Sequence, residues 1–189
     1  MLTDRIIGAF TFRSGVYREV EEDSAFTTTA WLLVIVIAFL EQLGSNASDN
    51  LGNWLIGTVA GTIIAVIAFA VGAFVINWAG RTVFNADVTF DELVRTLGLA
   101  HVWHIVGVIG VLTAFSDTLA CLLAPAAFIA GIMGLISWFV ATKEALDLEW
   151  VQTIVTVILG GIAWFVITAA AAMVLGLMGL TVAVLGGLI

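Results

Sequence analysis

The sequence predicts an all-α fold, a polytopic membrane bundle of five transmembrane helices, on three observations. Of 189 residues, 62% are hydrophobic and only 11% charged. A soluble domain of this size cannot enclose that much apolar surface, so lipid is the expected solvent for most of it. Uncharged runs recur along the chain, each near the ~20 residues a helix needs to cross the hydrocarbon core. All six basic residues then fall on one side of the spans those runs define, the asymmetry that marks a cytoplasmic face.

The elements follow in chain order. Leu2, Ile6 and Phe10 recur at helical spacing, which suggests a helix lying on the cytoplasmic membrane surface within residues 2–20. Glu19, Glu21, Glu22 and Asp23 follow. They suit a solvated turn whose charge favours the N-terminus of the first span; docking of a basic partner or a divalent ion is the alternative. The first span covers about 25–43, with Glu41 at its outer end, and the second 54–78. Thr89 and Glu92 form a T-x-x-E capping box opening a short interfacial helix, 89–97. Asp91 and Arg95 would pair at i, i+4 on its wet face, and Gly98 would allow a bend into the third span, 97–115.

The fourth span covers 119–142, bent or begun at Pro125, and the fifth 150–175. Residues 177–189 are too few for another crossing and read as an apolar outer tail. Arg5, Arg13 and Arg18 precede the first span, Arg81 and Arg95 separate the second and third, and Lys143 separates the fourth and fifth. The N-terminus is therefore expected in the cytoplasm and the C-terminus outside, with residues 1–189 forming one membrane domain. Trp31, Trp78, Trp103, Trp138 and Trp150 would mark cytoplasmic ends of spans, where indole N–H groups stay hydrated.

Charge narrows the partners. Six Lys and Arg against 14 Asp and Glu give a net charge of −8, which excludes a nucleic-acid partner because phosphate binding needs a basic face. The charges that punctuate the chain from Asp4 to Asp23 break up any apolar signal-peptide core. The single cysteine, Cys121, allows no intrachain disulfide. Motifs for nucleophilic, zinc, phosphate or dithiol chemistry are missing, so no enzymatic activity and no metal site are expected.

His101 and His104, three residues apart in an apolar run, share a helix face. With a span starting near Leu97 they would lie in its cytoplasmic third, at ~1.5 Å per residue. Neutral imidazoles there could bind haem or a chlorophyll-type pigment, or simply hydrogen-bond a neighbouring helix. Glu41 and Asp117 read as exposed carboxylates at span edges, leaving no charged group at the midplane for transport. Small residues recur at Gly57 and Gly61, and at Ala126, Ala130 and Gly134. Such spacing permits close packing, either within the chain or against foreign helices.

The stretches "DRIIGAFTFRSGVYREVEEDSAF", "FDELVRTLGLAHV" and "ATKEALDLEWVQTIVTVILGGIAWFVI" together resemble the Yip-domain family (Ypt-interacting protein), in its bacterial branch. The likeness runs from about residue 4 to 175 and lies in order and spacing; Ala145-Leu-Asp-Leu148 is its most recognisable piece. The resemblance implies a five-span helical domain with a cytoplasmic N-terminus, in a bacterial inner membrane. Eukaryotic relatives are trafficking proteins that associate with small GTPases and with one another, and no family catalytic residues exist to carry over. Where relatives tend to have a proline after the "LG-A" stretch, this chain has Trp103 and His104.

Two functions follow as expectations. The first is a non-enzymatic scaffold or accessory subunit that binds lipid and other transmembrane subunits, without a cofactor. The second is a haem- or pigment-associated subunit of a photosynthetic or respiratory complex, with His101 and His104 as ligands and Trp103 and Trp138 as ring neighbours. A transporter or channel is a third reading.

Overall fold

The computed structural model describes residues 1–48 and 50–177; the outer-tail reading for 177–189 thus lies, beyond Leu177, outside the described residues. Within them the chain is helical: α1 (Leu2–Phe10), α2 (Val16–Glu21), α3 (Phe26–Ser45), α4 (Leu51–Phe84), α5 (Phe90–Ala100), a 3-10 helix (His101–Phe115), α6 (Asp117–Leu146) and α7 (Trp150–Leu177). Five helical stretches among the described residues are long and apolar enough to cross a membrane, the third being α5 and the 3-10 helix together, Phe90–Phe115. The chain is an integral membrane protein whose outward side chains, Leu32, Val36, Ile63, Phe74 and Ile154 among them, meet lipid.

Around the bundle the order is α7, α4, α3, the third span and α6, with α6 also touching α7. Glycines set the closest approaches. A Cβ on Gly98 would lie 3.0 Å from the Ala30 Cβ, and one on Gly110 would lie 2.9 Å from the Gly44 carbonyl oxygen. From these contacts α3 and the third span run side by side in the same direction. Matching Ala30–Gly44 to Gly98–Gly110 takes fewer residues on the third span, because a 3-10 helix rises ~2.0 Å per residue against ~1.5 Å in an α-helix. Gly98 therefore serves contact with α3 rather than a bend, and α5 continues through it.

Three sequence readings are refined. Residues 2–20 form two helices, because Phe12 and Gly15 take left-handed backbone angles, φ 50° and 79°, that stop a continuous helix. Their apolar residues Ala9, Val16, Tyr17 and Val20 belong to the protein core. Tyr17 shares a short hydrogen bond with Ser137 of α6, and burial pushes its phenol up to about 12. The capping box is present, with Thr89 and Glu92 each holding the other's backbone N–H. Arg95, however, is not on a wet face: it is 5% exposed and donates to the backbone of Val20 and Glu21 at the end of α2. Pro125 lies within α6, which begins earlier, at Asp117, and is not ended by it.

Glu21 carries a pH signature. Burial, with Asp147 and Glu92 adding negative charge nearby, pushes its carboxyl from 4.5 to about 7. The folded state therefore holds this proton more tightly than the unfolded chain does. Its contribution to stability is full below about pH 4.5 and is lost as pH rises through about 7. We expect Glu21→Gln to match the parent near pH 4 and to melt at a higher temperature than the parent near pH 8. Thermal unfolding in one detergent at both pH values checks this, and equal gaps at the two would contradict it.

Candidate functional site

The helix that opens the third span starts at Phe90, because the capping box fixes Thr89 as its N-cap. Glu41 stands almost as far along the chain from Phe26, where α3 starts, as His104 stands from Phe90. With the two spans running in the same direction, these positions meet. His104 Nδ1 lies 3.2 Å from Glu41 Oε1. The Glu41 side chain is only 14% exposed, which corrects its reading as an exposed edge carboxylate. The side chain of Asp117, its counterpart in that reading, lies outside the described residues. The helical stretch that holds the histidines starts at Phe90, before Leu97, and its 3-10 part rises faster, so they lie further along it than a start at Leu97 would give.

In a 3-10 helix, residues three apart eclipse one another. His101 and His104 accordingly stack, with ring centroids 4.5 Å apart and planes 20° from parallel. Glycine makes the room. Gly107 lies against the Cα and Cβ of Glu41, and Gly134 of α6 lies against Trp103 and His104. His101 is 7% exposed, meets the edge of Phe69 of α4 at 5.6 Å, and has no hydrogen-bond partner for either ring nitrogen among the described residues. Phe69 also packs against Trp31 and Trp138. The indole N–H groups of Trp103 and Trp138 are enclosed without a partner among the described residues, contrary to the hydrated interfacial placement. Phe10 and Phe12 cover Trp103 from the α1 end.

The structure thus joins Glu41, His104 and His101 into one polar cluster inside an apolar bundle. Among the described residues, no group of three or more His, Cys, Asp or Glu side chains is arranged to hold a metal ion. One face of His101 is taken by His104, and Phe69 meets its ring as well.

The small-residue positions separate. Gly57 and Gly61 face Asn46 and Gln42 of α3, where a Cβ on Gly57 would lie 2.8 Å from Asn46 Oδ1. Asn46 itself, in a glycosylation-like Asn-Ala-Ser stretch, donates to the Gln42 carbonyl and side chain. Gly134 and Ala130 face the interior. Ala126 is exposed, as are Ala120, Cys121, Leu122, Ala124, Pro125, Ala127, Phe128 and Ile129 around it.

The Yip1 domain family model matches residues 7–172. No curated protein matches the chain, and no solved structure does.

Proposed function

The chain belongs to the Yip1 domain family, and from that premise we propose that it acts as a non-enzymatic scaffold or accessory subunit of a larger assembly in a bacterial inner membrane. The N-terminus faces the cytoplasm, on the strength of six basic residues on one side. One observation carries the reading: the half of α6 from Thr118 to Ile129 is exposed on nearly all sides and rich in alanine. Lipid tails are as apolar as a partner helix, so burial there gains little from hydrophobicity. Small side chains let a second backbone approach closely and gain dispersion contacts that lipid does not supply.

The test is purification from native membranes in mild detergent, with the visible spectrum recorded and co-purifying proteins identified. A colourless preparation carrying a stoichiometric membrane partner is expected. Ala126→Leu should reduce that partner about tenfold or more, since overpacking a close contact costs ~1–3 kcal/mol and ~1.4 kcal/mol is tenfold. A chain that arrives alone overturns the reading. So does a haem or pigment band that disappears in the His101→Leu, His104→Leu double variant.

A further inference from the structure

We propose that Glu41, His104 and His101 form a proton-binding site inside the membrane-spanning bundle, a role separate from the α6 face and independent of the scaffold reading. The reasoning begins with charge. An unpaired ionised side chain within the hydrocarbon costs at least ~3 kcal/mol, and intramembrane ionisable groups survive by pairing. Glu41 and His104 sit 3.2 Å apart, and the pair is electrically neutral only when it holds one proton.

That proton has two seats. On His104 Nδ1 it gives an imidazolium facing a carboxylate. When it moves, the Nδ1–H bond breaks with its electron pair left on the ring, and an O–H bond forms on Glu41 Oε1. Both arrangements are neutral overall, so the transfer needs no counter-ion. Removing the proton leaves one negative charge in the bundle. A second proton would leave one positive charge there, and the site for it is His101, stacked on His104 with both ring nitrogens unpartnered among the described residues. The one-proton cluster is thus the neutral state.

The surroundings contain no competing charge among the described side chains. From α4 the cluster meets Phe69, and from α6 it meets Gly134, with Trp138 beyond Phe69. From the α1 end, Phe10 and Phe12 reach only Trp103. On α5, Arg95 turns to the end of α2 and Glu92 to Thr89. Lys143 of α6 lies over Trp150. Glu41 is thus the one acid that faces either histidine among the described side chains. Gly107 packs on Glu41, while Phe69 and Gly134 pack on the histidines, which makes the setting low in dielectric.

The experiment uses the full chain in lipid nanodiscs, with 15N-histidine and 13C-glutamate labels, titrated from about pH 4 to 10 by NMR. A jointly held proton makes Glu41 Cδ and His104 Nδ1 report one common midpoint. Glu41→Gln is expected to move the His104 midpoint by at least about one pH unit, a tenfold change in proton affinity. His104→Gln should do the same to Glu41, and His101→Phe, which keeps the ring stack, should shift the common midpoint. Independent midpoints overturn the proposal, as does a cluster that exchanges no proton in this range. So does a His104 midpoint indifferent to Glu41. If either variant fails to fold, the coincidence of midpoints in the parent decides.

Discussion

Gly44→Ala should destabilise the bundle by about 3 kcal/mol, the upper end of what inserting one methyl group into a packed interior costs. The new Cβ would run into the Gly107 carbonyl oxygen and sit 3.2 Å from the Gly110 backbone nitrogen. These obstacles are backbone, so no rotamer change relieves them; α3 and the third span must separate. The reverse contact is also close, though less so, since a Cβ on Gly110 would lie 2.9 Å from the Gly44 carbonyl oxygen. Separation would also lengthen the Glu41–His104 contact, because Gly107 packs directly on Glu41. Gly161→Ala is the control: it too is a helical glycine, but its Cβ would meet nothing within 4 Å, so its effect should stay within ~0.5 kcal/mol. Unfolding in mild detergent followed by tryptophan fluorescence measures both. Similar values for the two would mean that α3 and the third span are not in close contact.

The five spans were legible because lipid imposes a length rule that composition reports directly: long uncharged runs, broken where charges cluster. Six basic residues on one side also give an expected orientation. The site was only half legible. Two histidines three apart are visible in any apolar run, but their depth depends on where the helix starts and how fast it rises. The T-x-x-E signal at Thr89 was the cue for the start. Counting from it, rather than from Leu97, brings His104 level with Glu41. The 3-10 rise had no cue, because a 15-residue 3-10 helix is far longer than the few residues usual for that geometry. It is held by tertiary contact with α3 and α6, which periodicity cannot reveal. Arg95 failed for a similar reason. Its i, i+4 acid, Asp91, is a local explanation, while the acceptors it uses, on Val20, Glu21 and Thr27, are remote in sequence.

Arg95→Met should cost about 4 kcal/mol and release the N-terminal helices from the bundle, on the scale of losing one partner of a buried charged contact. Arg95 Nε donates to the Val20 carbonyl at 3.0 Å and the Glu21 carbonyl at 2.9 Å, a terminal nitrogen donates again to Glu21, and the other reaches Thr27 Oγ1 at 3.1 Å. The two carbonyls belong to the last turn of α2, which has no onward helix to satisfy them. One guanidinium therefore caps α2 and ties it to α3 and α5. Methionine keeps much of the packing volume but leaves buried acceptors unpaired, each costing ~1–3 kcal/mol, in a place where removing one charged partner typically costs ~3–5 kcal/mol. Lysine should restore less than half of the loss, because a single ammonium cannot reproduce the planar fork. Arg13→Met gives the contrast: Arg13 pairs with Glu19 at the surface, and such pairs contribute ~1 kcal/mol or less. Limited proteolysis between α1 and α2, alongside unfolding in detergent, separates local undocking from global loss. Faster cleavage between Thr11 and Gly15 in Arg95→Met with unchanged cleavage in Arg13→Met is the expected pattern. Equal protection in both would mean that hydrophobic contacts of Val16, Tyr17 and Val20 alone hold the segment against the bundle.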